Sequence, residues 1–555
     1  MIKIKLPIGG TLKKRFLGAL LFLLSAALPC SVEAAGVTII THGFEDSYPL
    51  WVTAMADDIP NGFHTRFPGL DTNFSTYKLT LTNIDGTFYY FHPPSRTNGS
   101  PPFTTASGEI IIELDWSCVS GISDILESYA STYDVADFVT EVLLDTNSFP
   151  ELNGHPAIEF PIHLVGHSRG GSLMSQISYD LGANGIWTDQ LTTLDPYPLN
   201  NDGNVDLPAL VVDAPAEYTY STVLFADNYW QELGDGAYFL DPDGEPVNGA
   251  YVRQLYTLSG GYFDTTDIGC DHSNVHLWYH GTIDLATPAN DGIGGASITT
   301  EERDDWWVAY EQEGTNAGFK YSLIGGGNRM STHEPVGQGF PAIVDGYNQW
   351  WDLGAGILNP NRTALPVNNG TWPNVIRFDI TGTNIVTEGS VISTTLYYQY
   401  GGLSNLNAQI YLDQDFNPYN SNSIMVAQLQ PPCTGSGNVY YYQNLGLATT
   451  HVSPGVYSIY AKITDGVHTR YLYTPELVQV IAVVQPPVLD IIRLNNAQVC
   501  IGINGATGQT IVLQCSADLR TWIPLVTNTL TANRWTFTNN MPHDSTVQFY
   551  QGVVQ

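Results

Sequence analysis

The chain has 555 residues, too many for one hydrophobic core, since single cores stop growing at roughly 250 to 300 residues. Hydrophobic residues make up 43% and charged residues 13%, a composition that suits a globular, β-rich protein of several domains. The formal net charge of −34 leaves too few cations to neutralise a phosphate backbone, which excludes nucleic acid as a partner.

Residues 1–35 read as a secretory signal peptide. Lys3, Lys5, Lys13, Lys14 and Arg15 precede a mostly apolar run from Phe16 to Pro29. That run is shorter than the ~20 residues a bilayer span needs, and Ala34 and Ala35 offer a cleavage point. No second hydrophobic segment follows, so the mature chain is expected to be secreted and soluble. Export permits disulfides, and the candidate pairs are Cys500 with Cys515, across adjacent strands of one small domain, and Cys118 with Cys270. No Cys-x-x-Cys pair occurs, which disfavours a zinc site on thiolates.

From Val37 to about Gly281 short apolar runs alternate with helical patterns, and residues 36–365 are predicted to form an α/β domain, a parallel sheet with helices on both faces. Val37 to Thr41, Glu109 to Asp115, Ile162 to Val165, Leu191 to Leu194 and Thr222 to Phe225 are the predicted buried strands. Ala136, Val139 and Leu143, then Leu173, Ile177 and Leu181, fall at helical spacing. Two insertions, 45–108 and 228–268, offer either ordinary packing or a lid. Trp306, Trp307, Trp350 and Trp351 lie among Gly-rich turns that finish this domain by packing. Beyond Pro366 the helical periodicity disappears. Tyr457, Ile459, Ala461 and Ile463 alternate with Ser458, Tyr460 and Lys462 as a half-buried antiparallel strand requires, so 372–484 reads as an immunoglobulin-like β-sandwich. Gln485-Pro486-Pro487 makes a stiff break, and 488–555 reads as a small C-terminal β-module with strands near Thr510 to Cys515, Trp522 to Leu525 and Trp535 to Thr538.

The chemistry is concentrated at Ile162-His163-Leu164-Val165-Gly166-His167-Ser168-Arg169-Gly170-Gly171, where an apolar strand runs into G-x-S-x-G and then into an amphipathic helix. The glycines permit a sharp turn that exposes the Ser168 hydroxyl, and the helix start aims backbone N–H groups at developing negative charge. A serine hydroxyl needs a histidine base oriented by a carboxylate. Asp195 ends an apolar strand and precedes Pro196, which makes it the first acid candidate; Asp227, at the end of the next strand, is the second. Asp202, Asp206 and Asp213 fall in a Gly/Asn/Pro-rich loop. For the base, Gly269-Cys270-Asp271-His272-Ser273-Asn274-Val275-His276-Leu277-Trp278-Tyr279-His280 offers three histidines. His272 sits where a loop enters a helix, while His276 and His280 lie one and two turns on and read as ordinary helix residues. His272 and His276 share the i, i+4 spacing of zinc ligands, but the glutamate of H-E-x-x-H is missing. Two backbone N–H groups are expected to form the oxyanion hole, those of Arg169 and of Phe44 in Thr41-His42-Gly43-Phe44.

These residues resemble secreted lipases and esterases of the α/β-hydrolase fold, particularly the pancreatic lipase group. Thr41-His42-Gly43-Phe44, Leu114-Asp115-Trp116-Ser117, Gly166-His167-Ser168-Arg169-Gly170 and Leu194-Asp195-Pro196 match in order, over roughly residues 36–285. The resemblance implies an acyl-enzyme mechanism on ester or lipid substrates with no required cofactor, and an acid after the very next strand, hence Asp195. The chain departs from that family in carrying Arg169 where leucine is common, and in its β-domains. Cys515-Ser516-Ala517-Asp518-Leu519-Arg520-Thr521-Trp522 resembles small β-modules appended to secreted bacterial proteins.

Asp413-Gln414-Asp415-Phe416-Asn417-Pro418-Tyr419-Asn420 spaces oxygen ligands as a calcium loop does, with a β-turn as the plainer reading, since the Gly and distant Glu of an EF-hand are missing. Two other functions remain open beside ester hydrolysis: amide or peptide hydrolysis on the same triad, and an adhesion or carbohydrate-binding protein whose hydrolase domain is vestigial. The β-modules then offer contact with a cell surface or polysaccharide.

Overall fold

The computed structural model describes most of residues 36–283 and 371–555, with its longer breaks at 122–129, 202–210, 234–241 and 541–547, and only short stretches of 284–370. Residues 1–35, with the expected signal peptide, and Trp307, Trp350 and Trp351 lie outside the described residues.

The first nine strands form one sheet. They are β1 (Gly36–Thr41), β2 (Asn73–Ile84), β3 (Thr87–Tyr90), β4 (Ser95–Gly99), β5 (Ser107–Asp115), β6 (Ile162–His167), β7 (Thr188–Leu194), β8 (Val223–Trp230) and β9 (Tyr251–Gln254). Their order is β3-β2-β5-β1-β6-β7-β8-β9, with β4 paired to β2. Every neighbour from β2 to β9 along that order is parallel, and the β2/β3 and β2/β4 pairs are antiparallel. β1 and β6 are wholly buried, as the near-continuous apolar runs Val37-Thr38-Ile39-Ile40 and Ile162-His163-Leu164-Val165 require of central parallel strands.

Four helices of eleven or more residues accompany the sheet among the described residues: α1 (Leu50–Arg66), α2 (Thr132–Leu144), α3 (Arg169–Ala183) and α4 (Cys270–His280). α1 packs over β1, β2 and β5, α3 over β6 and β7, and α4 against β7. α2 buries Val135, Ala136, Val139 and Leu143, and packs on α3. Its start is fixed by a capping box, in which Ser131 Oγ accepts from the Asp134 N–H and the Asp134 carboxylate accepts from the Ser131 N–H, a device that stabilises a helix end by about 1 kcal/mol.

Three strands of this sheet stand within the segment read as an insertion. β2, in Asn73-Phe74-Ser75-Thr76-Tyr77-Lys78-Leu79, is a full member of the parallel sheet beside β5, with Phe74, Tyr77, Leu79 and Leu81 in the core. Its polar alternation disguises a strand whose Ser75 and Thr76 are also buried.

The chain divides into two compact units, Met1–Gln479 and Val480–Gln555. The division therefore does not follow the expected boundary between 365 and 372. The sandwich strands of the first unit form a three-stranded sheet, β10 (Asn374–Ile380), β12 (Val391–Gln399) and β15 (Tyr441–Ala448), and a larger one built on β13 (Asn407–Asp413), β14 (Ile424–Leu429), β16 (Gly455–Thr464) and β17 (Thr469–Tyr473), completed by β11 (Ile385–Thr387) and β18 (Val478–Ile481). They share one continuous core with the α/β part, through Phe416, Tyr460, Tyr471 and Tyr473.

Buried polar contacts fix this junction. The Arg470 guanidinium reaches Asp189 at 3.0 Å, and Asn374 accepts from the Trp187 N–H at 2.9 Å while donating to Gly185 O at 2.8 Å. Phe160 stacks on Tyr471 with ring centroids 5.7 Å apart. For this reason β16 is not the half-buried strand that its alternation predicts: Ser458 and Tyr460 are buried along with Tyr457 and Ile459, because the outward face is covered as well. In the loop whose ligand spacing resembles a calcium loop and whose plainer reading is a β-turn, Asp413 Oδ2 accepts from Tyr473 Oη at 2.8 Å, and Asp415 Oδ2 accepts from Asn420 and Asn422 Nδ2, both at 2.7 Å.

In the second unit, strands Val488–Asn495, Gln498–Asn504 and Arg534–Asn540 form one sheet, and Ile523–Thr529, Thr510–Ser516 and Phe549–Val554 another. Their small core holds Ile501, Ile503, Ile511, Leu513 and Leu530. Cys500 and Cys515 stand on strands of different sheets and are both free thiols, so the expected bridge between adjacent strands is not formed.

Candidate active site

β1, β6 and β7 are consecutive in the sheet, and their C-terminal ends bring Gly43, Ser168 and Asp195 to one edge. Ser168 follows β6 with φ 58° and ψ −129°, a conformation that side-chain-bearing residues seldom adopt. Three backbone hydrogen bonds hold it there: Ser168 N–H to Leu194 O at 2.9 Å, Gly171 N–H to Ser168 O at 2.9 Å and Tyr197 N–H to Ser168 O at 3.1 Å. Gly166 is needed two residues earlier, because a Cβ there would stand 2.1 Å from Gly170 O. On the opposite side Gly43 presses so closely on the serine that a Cβ would fall 2.5 Å from Ser168 Cβ and 2.9 Å from the Arg169 nitrogen. Phe44 continues from Gly43 and packs against Leu199 and Val211.

Asp195, just after β7, also has positive φ, 46°, and is fully buried. Its Oδ2 accepts from His272 Nδ1 at 2.6 Å and from Gln231 Nε2 at 2.9 Å, while Oδ1 accepts from the Gln231 N–H at 2.8 Å. Burial raises the Asp195 carboxyl above its ordinary value, against the opposing influence of His272 and Gln231. With Nδ1–H donating its hydrogen bond to Asp195, the ring's lone pair is on His272 Nε2, which is buried and makes no hydrogen bond among the described residues.

Asp227 is placed elsewhere. It stands inside β8, not at the end of a strand, and its Oδ1 accepts from Thr192 Oγ1 at 2.7 Å and Gln190 Nε2 at 3.1 Å. It belongs to a polar cluster on the sheet with His163, whose Nε2 lies 2.8 Å from Thr192 Oγ1. Asp213 has a different task again. Its carboxylate forms a fully buried fork with Arg169, Nε to Oδ2 at 2.7 Å and Nη2 to Oδ1 at 2.9 Å. The remaining Arg169 donors reach the carbonyls of Val119, Ser120 and Ala130, so all five N–H groups are satisfied. Its guanidinium also lies over Trp116, 4.9 Å from the ring centroid. The Arg169 side chain thus points away from solvent and straps the start of α3 to the 199–214 segment.

Removing one partner of such a pair leaves an uncompensated buried charge. Asp213→Ala is expected to destabilise the protein by about 3 to 5 kcal/mol. Adding Arg169→Met to it should restore part of that loss, which a double-mutant cycle of urea unfolding measures; additive losses would contradict the pairing.

α4 carries a second network behind His272. His276 Nδ1 lies 3.0 Å from Asp291 Oδ2, His280 Nδ1 lies 2.6 Å from Asp291 Oδ1, and His280 Nε2 lies 2.9 Å from Asp58 Oδ2 on α1. Trp51 stacks on His276 at 4.2 Å. His276 and His280 are therefore not the ordinary helix residues that the sequence suggests but a clamp between α4, α1 and Asp291. His272 and His276 turn to different carboxylates, and no group of three metal-ligating side chains is found among the described residues. His167 Nε2 lies 2.9 Å from the His272 carbonyl oxygen, and burial, with His272 and His276 nearby, holds its pKa well below the ordinary value.

Burial opposes the charged form of His280, yet Asp291 and Asp58 outweigh it and raise its pKa to about 9. Burial likewise opposes ionised Asp291, yet His276 and His280 hold it at about 2. The His280 contribution to stability is fully present below its ordinary 6.5 and is lost as pH rises through about 9. The melting temperature should fall across that window, and His280→Gln should flatten the fall. An unchanged slope in the variant would refute the clamp.

Gln231, Asp291, Asp58 and the true partner of Asp213 had no local signal in the sequence. Each acts through a contact between distant segments.

The chain matches no protein-family model, and no curated protein matches it. Among solved structures, the CARDB domain of a Pyrococcus furiosus protein, in complex with di-metal ions, is 12% identical over 21% of this chain and 99% of its own, with a TM-score of 0.15. The human OSCAR ligand-binding domain is 12% identical over 32% of this chain and 86% of its own, with a TM-score of 0.13. Similarity at that level carries no argument about this chain. No helix among the described residues is long and apolar enough to cross a membrane.

Proposed function

We propose that this chain is a secreted serine hydrolase that cleaves carboxylic esters on an α/β-hydrolase scaffold. The observation that carries the reading is the orientation of His272: its Nδ1–H donates to the Asp195 carboxylate at 2.6 Å, which leaves the Nε2 lone pair unbonded among the described residues, while Ser168 is held in a strained turn. Supporting it is the common edge of β1, β6 and β7, which gathers the serine, the acid and the Gly43 turn.

In the proposed reaction His272 Nε2 removes the Ser168 hydroxyl proton as Oγ bonds to the ester carbonyl carbon. The carbonyl oxygen becomes an oxyanion, stabilised by the N–H groups of Phe44 and Arg169. Asp195 stabilises the imidazolium and keeps its tautomer, and Gln231 keeps Asp195 ionised and oriented. His272 then returns the proton to the departing alkoxide, and water hydrolyses the acyl-enzyme by the same steps. Serine–histidine hydrogen bonds in ligand-free sites are often loose and tighten with substrate. The chemistry calls on no cofactor.

Amide hydrolysis would use the same residues. Turnover of nitrophenyl esters of graded acyl length, set against matched anilides, tests the reading. Faster ester than anilide cleavage, lost in His272→Ala, is expected; turnover of neither compound would overturn it and favour an adhesion role.

A further inference from the structure

The two turns that meet at Ser168 are both held by one residue, Trp116. It follows β5, the neighbour of β1 in the sheet, and is wholly buried. Its indole Nε1–H donates to the His42 carbonyl oxygen at 3.0 Å, and its backbone N–H donates to His42 Nε2 at 3.4 Å. The His42 ring is stacked on the indole, with centroids 5.8 Å apart and planes inclined by 24°. The Arg169 guanidinium, locked in its fork with Asp213, lies over the same indole at 4.9 Å. Trp116 thus holds the residue before Gly43 and the residue after Ser168 at once.

A further hydrogen bond carries this hold to Phe44. Burial lowers the His42 pKa to about 4, so the ring is neutral at neutral pH. With Nε2 accepting from the Trp116 N–H, the ring's proton is on Nδ1, which donates to Gly43 O at 3.1 Å. That oxygen belongs to the same planar peptide unit as the Phe44 N–H, so fixing one end of the plane fixes the direction of the other. The two turns are also in direct contact. A Cβ on Gly170 would stand 2.4 Å from His42 O, and one on Gly43 would stand 2.9 Å from the Arg169 nitrogen.

We infer that Trp116 is a positioning residue of the oxyanion hole, which sets the Phe44 and Arg169 N–H groups relative to each other without touching substrate. This role rests on the ester-hydrolase reading, because an oxyanion forms only if Ser168 attacks a carbonyl. Donors fixed in advance stabilise developing charge because nothing has to reorient when the charge appears. A Phe44 peptide free to rock loses that advantage in the transition state, while contacts to the rest of the substrate persist. The loss of Trp116 therefore falls on kcat and spares KM.

A trifluoromethyl ketone with a carbon-13 carbonyl tests this on the full-length protein. Ser168 Oγ bonds to that carbon, the hydroxyl proton passes to His272 Nε2 and the ketone oxygen becomes the anion, so an NMR titration of the adduct reads the oxyanion hole itself. Trp116→Phe keeps an aromatic ring beside Arg169 and removes the indole N–H. It should raise the pKa of the adduct oxygen by about 1 or more and lower kcat on a nitrophenyl ester about 10- to 100-fold, less than deletion of a direct donor, with KM within about twofold. If that variant does not fold, Trp116→benzothienylalanine, which keeps the indole's shape with sulfur in place of N–H, is expected to give the same shift. An unchanged adduct pKa in a folded variant overturns the inference and leaves the hydrolase reading standing. No adduct in the wild type overturns both.

Discussion

Ser168→Ala should lower kcat on a nitrophenyl ester by a factor on the order of 10^4 to 10^6, the range found when the nucleophile of a triad is removed. The same position supplies a control against misfolding. Ser168 holds φ 58° and ψ −129°, and a side-chain-bearing residue in so sparsely populated a region costs of order 1 to 3 kcal/mol. Ser168→Gly relieves that strain, so it should be as inactive as the alanine variant yet melt at the same temperature or higher. An inactive and destabilised glycine variant would show that the turn has no strain to release. An active one would remove Ser168 from the chemistry altogether.

The two carboxylates weighed as the acid separate next. Asp195→Asn should lower kcat by about 10^4, because the amide can present its NH2 to His272 Nδ1 and reverse the ring's tautomer, which takes the lone pair away from Nε2. Asp227→Asn should leave kcat within a few fold of wild type. Asp227 accepts from Thr192 and Gln190 on the sheet and stands inside β8, so its loss is a matter of stability. Equal loss of rate in both variants would contradict the distinction. Gln231 refines it. Gln231→Leu deletes one of three hydrogen bonds to a buried carboxylate and should lower kcat with little effect on KM.

Part of the molecule was legible from residue order alone. Strands buried on both faces, such as β1 and β6, announce themselves as apolar runs, and a Gly-x-Ser-x-Gly at the end of one says where the chain must turn sharply. Helices α2 and α3 followed from the spacing of Val139 and Leu143, and of Leu173, Ile177 and Leu181. β2 was missed because its residues are polar by type and buried by context. Tyr460 is buried where period-two alternation predicts exposure, because that pattern assumes that one side of the strand meets water, and the docked α/β part covers it. Asp213 looked like a loop carboxylate because nothing near it in sequence reveals that Arg169, a helix start away, ends in the same buried space. Pairings of this kind are decided by tertiary packing, and a single sequence does not encode them locally.

The second network gives the site a property that the triad alone would not have. His272 occupies the first turn of α4, and the far end of that helix is held by His280 between Asp291 and Asp58. Loss of the His280 charge at alkaline pH loosens the element that carries the proposed base.

The central claim is that the Ser168 oxygen is an activated nucleophile. It is tested most directly by incubating the purified protein with a fluorophosphonate and locating the adduct by mass spectrometry of its peptides. A single phosphonyl group on Ser168, formed slowly in His272→Ala, is the predicted result. No adduct, or an adduct on another residue that persists in Ser168→Ala, would contradict the account.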